Sequence, residues 1–413
     1  MNQKQFASEV TVSLQRAGHT AYWAGGCVRD AILGRAPKDY DVATSATPDE
    51  VRELFGFKRT LPIGASFGVI TVVGPKSAGQ IEVATFRRDG GYSDGRRPDS
   101  VEFTDAREDA VRRDFTINGM FFDPATEEVI DFVGGQEDIK RQVIRAIGDP
   151  HKRIEEDKLR MLRAVRFAAT YEFALDPQTR DAVSAHAAEI EVVSGERIGA
   201  ELVRMLSHPT FRIAVEKLHQ TGLWKYILPS EFDYEVCEAA IKQTEALEIS
   251  SENFSQFETV LAVLLNGAMD AERPDRLPYL KMLQDRWRLK NDQICVIDWV
   301  AKNWRTIEQA DTCTWSVAQP AIVHQNVWSA LDVAKVLGGS TSAQDFCRKA
   351  LLRPRPEIDP PALLDGKDLI EMGVSPGPSF KHILQTVRNE QLDQKLDSAE
   401  SARRRAKEIF GTL

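Results

Sequence analysis

The sequence predicts an α+β protein: an N-terminal mixed α/β head followed by an all-helical remainder. Two observations carry this. Short apolar windows with strand-like alternation recur as far as residue 148 and then stop. Beyond Gly148-Asp-Pro150, apolar residues return at helical spacing through 202–206, 213–218, 260–265, 294–300 and 327–337. A chain of 413 residues is also too long for one core, which fits division into several domains.

Taken in order, residues 3–17 have the spacing of an amphipathic helix, 21–24 read as a strand and 28–33 as the start of a helix. A strand is expected over 39–42, then a helix after Thr47-Pro48, where a capping residue precedes proline at the first turn. Strands follow around 68–73 and 80–86. The run 88–99 is rich in glycine and charge and reads as a mobile loop. A helix is expected over 107–117, and short strands close the head at 120–122 and 129–132. The boundaries are drawn as head 1–148, neck 149–208, body 209–352 and tail 353–413. A helix over 156–167 lies in the neck, and the proline-rich stretch 353–361 reads as a linker.

Within the head, Ala24-Gly-Gly-Cys-Val-Arg-Asp30 leads into Lys38-Asp-Tyr-Asp-Val42. Strand side chains alternate, so Asp39 and Asp41 point to one face and Tyr40 to the other. Mg²⁺ is usually held by one or two carboxylates together with substrate phosphates, which makes Asp39 and Asp41 candidate metal ligands. A bare Asp-x-Asp is more often a solvated turn; the lead-in changes that. Gly25 and Gly26 let backbone approach a phosphate, and Arg29 can grip one with two hydrogen bonds. These parts suggest nucleotidyl transfer. Glu82, flanked by Ile81 and Val83, is either a third carboxylate at the same site or a solvated strand position. Arg112-Arg-Asp114 offers cations to a triphosphate beside a carboxylate able to accept from a ribose hydroxyl. The row Glu156, Arg160, Arg163, Arg166 falls on one side of the expected neck helix, which alone is equally a charged surface with i,i+4 pairing.

Together with Glu82-Val-Ala-Thr-Phe-Arg87, Arg112-Arg-Asp-Phe-Thr-Ile-Asn118, Asp131-Phe-Val-Gly-Gly135, Glu156-Asp-Lys-Leu-Arg160 and Ser194-Gly-Glu-Arg-Ile198, in that order, these motifs resemble the blocks of the class II nucleotidyltransferase family. That family comprises tRNA CCA-adding enzymes and bacterial poly(A) polymerases. The resemblance spans roughly the first half of the chain. It implies a polymerase-beta-like head, two-metal catalysis with Mg²⁺, and Asp39, Asp41 and Glu82 as catalytic residues. It also implies nucleotide contacts from Gly26, Arg29 and Arg113, with Asp114 and Asn118 selecting ribose. Asp157 and Arg160 match residues that hydrogen-bond the base edge of CTP or ATP, so that side chains serve as the template; Arg163 and Arg166 match further nucleotide contacts. Ser194–Ile198 is expected to cap and ion-pair. The seven histidines read as isolated, and no His-Asp dipeptide occurs, so the signature of the phosphohydrolase domain of some relatives is missing.

Composition narrows the partners. Five scattered cysteines without a C-x-x-C pair fit a reducing cytoplasm, and neither a signal core nor a membrane-length apolar run is present. A net charge of −9 is awkward for an RNA-binding protein, so its basic residues must act locally. The sequence pI near 5.5, and the short stretch after Arg405 with no strongly basic extension, favour a tRNA enzyme using CTP and ATP over a poly(A) polymerase. Relatives adding only CC tend to have a shortened loop after the Glu82 strand. Here the loop runs full length through Tyr92, Asp94, Arg96 and Arg97, as in complete enzymes. Addition of A alone stays open. A non-catalytic RNA-binding protein with a relic head is opposed by the intact Asp39–Asp41 pair and Arg113.

Overall fold

Asn2 opens the first helix, α1 (Gln3–Arg16), by accepting from the Gln5 amide while the Gln5 side chain returns a bond to the Asn2 amide. Phe6, Ala7, Val10 and Leu14 line its buried face. They pack on β1 (Ala21–Ala24) and β2 (Asp41–Thr44). Between those strands lies α2 (Gly26–Ile32). The predicted strand over 39–42 thus starts two residues later. Thr47 then caps α3 (Pro48–Phe55) through a reciprocal pair with Glu50, as the Thr47-Pro48 signal predicts.

The structure, a computed structural model, describes residues 1–90, 100–230, 232–244, 256–268 and 277–411. Tyr92, Asp94, Arg96 and Arg97 lie outside the described residues. The chain forms two units, Met1–Pro229 and Ser230–Leu413.

The first unit continues with β3 (Thr60–Leu61), β4 (Val69–Val73) and β5 (Gln80–Thr85), then a ribbon of β6 (Arg87–Asp89) and β7 (Val101–Phe103). After α4 (Ala106–Val111), β8 (Met120–Asp123) and β9 (Glu128–Asp131) complete a seven-stranded sheet in the order β3-β4-β5-β2-β1-β8-β9. β2 and β5 run parallel, whereas the other neighbours are antiparallel. That parallel pair sets Asp41 opposite Glu82 and Val42 opposite Val83. Val42, Ile70, Ile81 and Val83 are fully buried, so register is pinned by apolar alternation.

The predicted helix over 107–117 stops at Val111. Its last stretch is a bend followed by a 3-10 turn over Thr116–Asn118. Tertiary bonds replace the helical ones here, Ile147 N donating to Asp114 O and Thr116 N to Arg145 O, and locally the Asp114 carboxylate accepts from Phe115 N. Asp131 then terminates the sheet by accepting from four successive amides, Val133, Gly134, Gly135 and Gln136, at 2.8–3.1 Å. This cradle starts α5 (Gly135–Arg141).

The predicted helix over 156–167 is likewise two helices, α6 (Pro150–Glu156) and α7 (Arg160–Tyr171). Asp157 separates them in an extended conformation, φ −149° and ψ 104°, its carboxylate accepting from Leu159 N at 3.0 Å. Such a local bond competes with the helical ladder and ends it. Next come α8 (Pro177–Ala185), α9 (Gly195–Leu206) and α10 (Phe211–Gln220). Contrary to the expectation of isolated histidines, His151 and His186 meet, Nδ1 to Nε2, at 3.1 Å.

In the second unit the described residues form helices and no strand. Ile297, Val300 and Trp304 of the helix Asn291–Glu308 are buried, and that helix packs on Val327–Leu337 and Gln256–Ala268. The proline-rich stretch 353–361 is not a free linker. Arg355–Ile358 is helical, Ile358 is buried, and its carbonyl accepts from Gln319 Nε2 at 3.0 Å. Leu364, Leu369, Ile383, Val387, Ala402 and Ala406 then form a small core of their own. Among the described residues, no helix is long and apolar enough to cross a membrane.

Candidate active site

β1 gives way to α2 at Gly25, whose φ of 73° suits glycine, and a Cβ there would meet Arg113 Nη1 at 3.0 Å. The missing side chain is what lets Arg113 lie against the turn. From it opens a cleft of about 720 Å³ in the first unit. With Gly25 and Arg112 included, its walls bring together every candidate site residue read from the sequence except Glu82, and add Phe167 and Arg204.

The carboxylate edge follows the expected alternation. Tyr40 is buried edge-on against Trp23, ring centres 5.0 Å apart, while Asp39 and Asp41 are open to solvent. Glu82 stands beside Asp41 across the parallel strand pair and is not on the cleft wall. Surrounding protein atoms, then the Glu82 and Asp39 charges, push the Asp41 carboxyl up to about 6, against the pull of Arg113. Among the described residues, no three His, Cys, Asp or Glu side chains form a closed metal cage. The donor set nevertheless fits a hard divalent cation: the Asp41 carboxyl, which resists ionisation beside the Glu82 and Asp39 charges, would be relieved by one, and Mg²⁺ takes its remaining ligands from water and phosphate.

The opposite wall is cationic, and its arginines already have partners. Arg113 donates to Asp109 Oδ2 and Arg112 to Asp109 Oδ1, at 2.9 and 2.6 Å. Asp109 is 1% exposed. Burial works against its charge, yet the two guanidiniums outweigh it and hold its pKa below the usual carboxylate value. Asp114 accepts from Phe115 N and Asn118 Nδ2 on one oxygen and from Nε and Nη2 of Arg163 on the other. Burial again opposes the charge, but these donors bring its pKa down to about 2. Four donors saturate the lone pairs of a carboxylate.

The remaining nominated residues are placed by similar pairs. Arg29 is 7% exposed and donates to Asp30 and Asn118. Arg160 pairs with Glu156 at 2.5 Å and donates to the carbonyls of Arg153 and Arg112. Arg166 pairs with Glu201 and lies over the Phe167 ring at 4.1 Å. Asp157 is held by Arg197 at 2.7 Å. Ser194 makes no side-chain cap, so that segment contributes its ion pair and not the expected capping bond.

Asp109 and Glu201 escaped the sequence reading, and Arg197 was read only as part of an ion-pairing segment, without its partner. Asp109 carried a usable signal, since Arg112 and Arg113 follow it at i+3 and i+4. Glu201 lies 35 residues from Arg166, and Arg197 lies 40 from Asp157, separations that no local pattern spans.

Residues 21–145 match the Poly A polymerase head domain, and 172–234 match the domain described as "Probable RNA and SrmB- binding site of polymerase A". The CCA-adding enzyme of Levilactobacillus brevis is 34% identical over 402 residues, covering 96% of each chain. The chain belongs to the CCA-adding enzyme family. The family member from Lactobacillus helveticus is also 34% identical, over 96% of this chain and 94% of its own. Among solved structures, the Bacillus stearothermophilus CCA-adding enzyme in complex with CTP superposes with a TM-score of 0.79 at 28% identity, covering 99% of this chain and 98% of that one. Family membership makes the chain a nucleotidyltransferase, a class that uses divalent metals, and agrees with the mixed α/β head and helical remainder.

Proposed function

We propose that this protein adds C, C and A to the 3′ end of tRNA from CTP and ATP, releasing pyrophosphate. The observation that carries the reading is the juxtaposition in one cleft of Asp39 and Asp41 with the wall of Arg113, Asp114 and Arg163, in a chain that matches CCA-adding enzymes along 96% of its length. Magnesium ions held by Asp39 and Asp41, with Glu82 beside them, would stabilise the attacking and leaving oxygens of the in-line displacement.

The protein's own groups do the rest. Arg29 and Arg113 bind the triphosphate, and Gly26 lets backbone come close to it. Asn118 and Asp114 orient the ribose. Asp157 and Arg160 present a carboxylate and a guanidinium fork to the base edge, which supplies both acceptors and donors. Arg197 keeps its hold on Asp157, while Arg160 exchanges Glu156 for the base. Arg163 and Arg166 hold the sugar-phosphate side. In this scheme the neck (149–208) reads the base, the body (209–352) is helical, and the tail (353–413) contacts tRNA in the cytoplasm.

The test is incorporation of labelled CTP and ATP into tRNA lacking its terminal CCA. The reading requires products ending in CCA. Addition of A alone, or long A tracts without C, would overturn it.

A further inference from the structure

Tyr171 closes a circuit of contacts behind the nucleotide cleft. It is the last residue of α7, one turn after Phe167, and the two rings stack at 6.3 Å and 20°. The Arg29 guanidinium lies over both, 4.7 Å from the Tyr171 ring centre and 5.4 Å from that of Phe167. The Tyr171 hydroxyl donates to Asp30 Oδ1 at 3.0 Å, the same oxygen that accepts from Arg29 Nε at 2.9 Å. The guanidinium plane is therefore fixed from its face by the ring and from its edge by a carboxylate that the same tyrosine holds.

The consequence passes to Asn118. Arg29 Nη1 donates to Asn118 Oδ1, which turns the amide so that its Nδ2 donates to Asp114 Oδ1 at 3.0 Å. An amide offers its oxygen on one side and its NH₂ on the other, so an arginine on the first decides what the second can do. Asp114 in turn receives Arg163, which is again on α7. Tyr171 and Arg163 thus close one ring that runs through α2 and the 3-10 turn. Phe167 lines the cleft and Tyr171 does not.

We propose that Tyr171 is a positioning residue for nucleotide binding: it holds Arg29 and Asp30, and through Arg29 sets the orientation of the Asn118 amide beside Asp114. This rests on the reading of Arg29, Asn118 and Asp114 as nucleotide contacts. Burial pushes the Tyr171 hydroxyl up to about 12, so it keeps its proton and stays a donor to Asp30 at any working pH. The cation–π contact and the hydroxyl bond act separately, and one side chain supplies both.

Tyr171→Phe removes the hydroxyl and keeps the ring, and Tyr171→Leu removes both. Expected is a rise in KM for CTP and ATP of about threefold for the first and about tenfold for the second, with kcat at saturating nucleotide within about twofold of the parent. Nucleotide Kd, measured by calorimetry without tRNA, is then compared in Tyr171→Phe, Asn118→Ala and the double variant. With the relay, Tyr171→Phe costs clearly less once Asn118 is gone than it does in the parent, the remainder passing through Arg29 alone. Additive effects, or a fall in Tm with KM unchanged, would refute the positioning role. Two failures are distinguishable. If Asn118→Ala itself leaves Kd unaltered, the nucleotide-contact reading falls and takes this proposal with it. If Asn118→Ala weakens binding while both Tyr171 variants bind as the parent does, only the role of Tyr171 is lost.

Discussion

Arg197 pairs with Asp157 at 2.7 Å across 40 residues of sequence, so the carboxylate nominated for base recognition is held in place from a different helix. Asp157 has no helical turn of its own to fix it, being the extended residue between α6 and α7. Arg197→Ala should therefore blur base choice more than it slows addition. The expected change is on the order of a tenfold fall in the ratio of kcat/KM for CTP over UTP, comparable to one hydrogen bond. Single-nucleotide kinetics with CTP, ATP, UTP and GTP on tRNA ending before CCA would measure it. Undiminished selectivity would place Asp157 outside base recognition.

Arg163→Ala should destabilise the protein as well as weaken all nucleotides alike. It leaves Asp114 with two of its four donors, at a cost of about 1–3 kcal/mol at pH 7. The folded pKa of Asp114 is about 2 against an ordinary 3.8. Its stabilising share is thus present above pH 4 and lost as pH falls towards 2. Urea denaturation of parent and variant should show a stability gap that narrows over that window.

The sign is opposite at Asp41. Its folded pKa of about 6 lies above the ordinary 3.8, so the group favours the folded state below pH 4 and loses that contribution as pH rises through 6. Mg²⁺ competes with this proton. Calorimetry in buffers of different ionisation enthalpy should show proton release on Mg²⁺ binding near pH 5.5 and none near pH 8, with the release absent in Asp41→Asn. Both Asp41→Ala and Asp39→Ala should abolish addition with the fold retained.

Asp131→Ala strips four amides of their shared acceptor at the start of α5. A cost of about 2 kcal/mol is expected, at the upper end for a capping residue. Thermal denaturation would read this directly; an unchanged Tm would mean that water replaces the carboxylate without loss.

The sheet was legible because its strands carry a period of two, and the Asp39–Tyr40–Asp41 alternation survives although the paired strand begins only at Asp41. Helix ends were less so. Nothing in the spacing of Glu156, Arg160 and Arg163 registers the break at Asp157, because the apolar period continues through it while one local hydrogen bond ends the ladder. The same limit applies to Asp114, Phe115 and Thr116, whose backbone partners at 145–147 lie roughly 30 residues away. Counter-ions divide by distance: Asp109 sits one turn from its arginines and was readable, whereas Glu201 and Arg197 are brought in by folding alone.

The cleft's arginines meet the solvent already matched to carboxylates: Arg113 to Asp109, Arg160 to Glu156, Arg163 to Asp114, Arg166 to Glu201 and Arg29 to Asp30. On the site reading proposed above, entry of a nucleotide would be a trade of partners. A lone inorganic phosphate gains little by displacing one carboxylate, since what it acquires in one contact the protein forfeits in another. A triphosphate carries several anionic groups on one tether and can win several such trades together. A wall built this way would favour a ligand with several linked charges over the small anions that crowd a cell, and so let a chain with a net charge of −9 handle phosphates without becoming a general anion sponge.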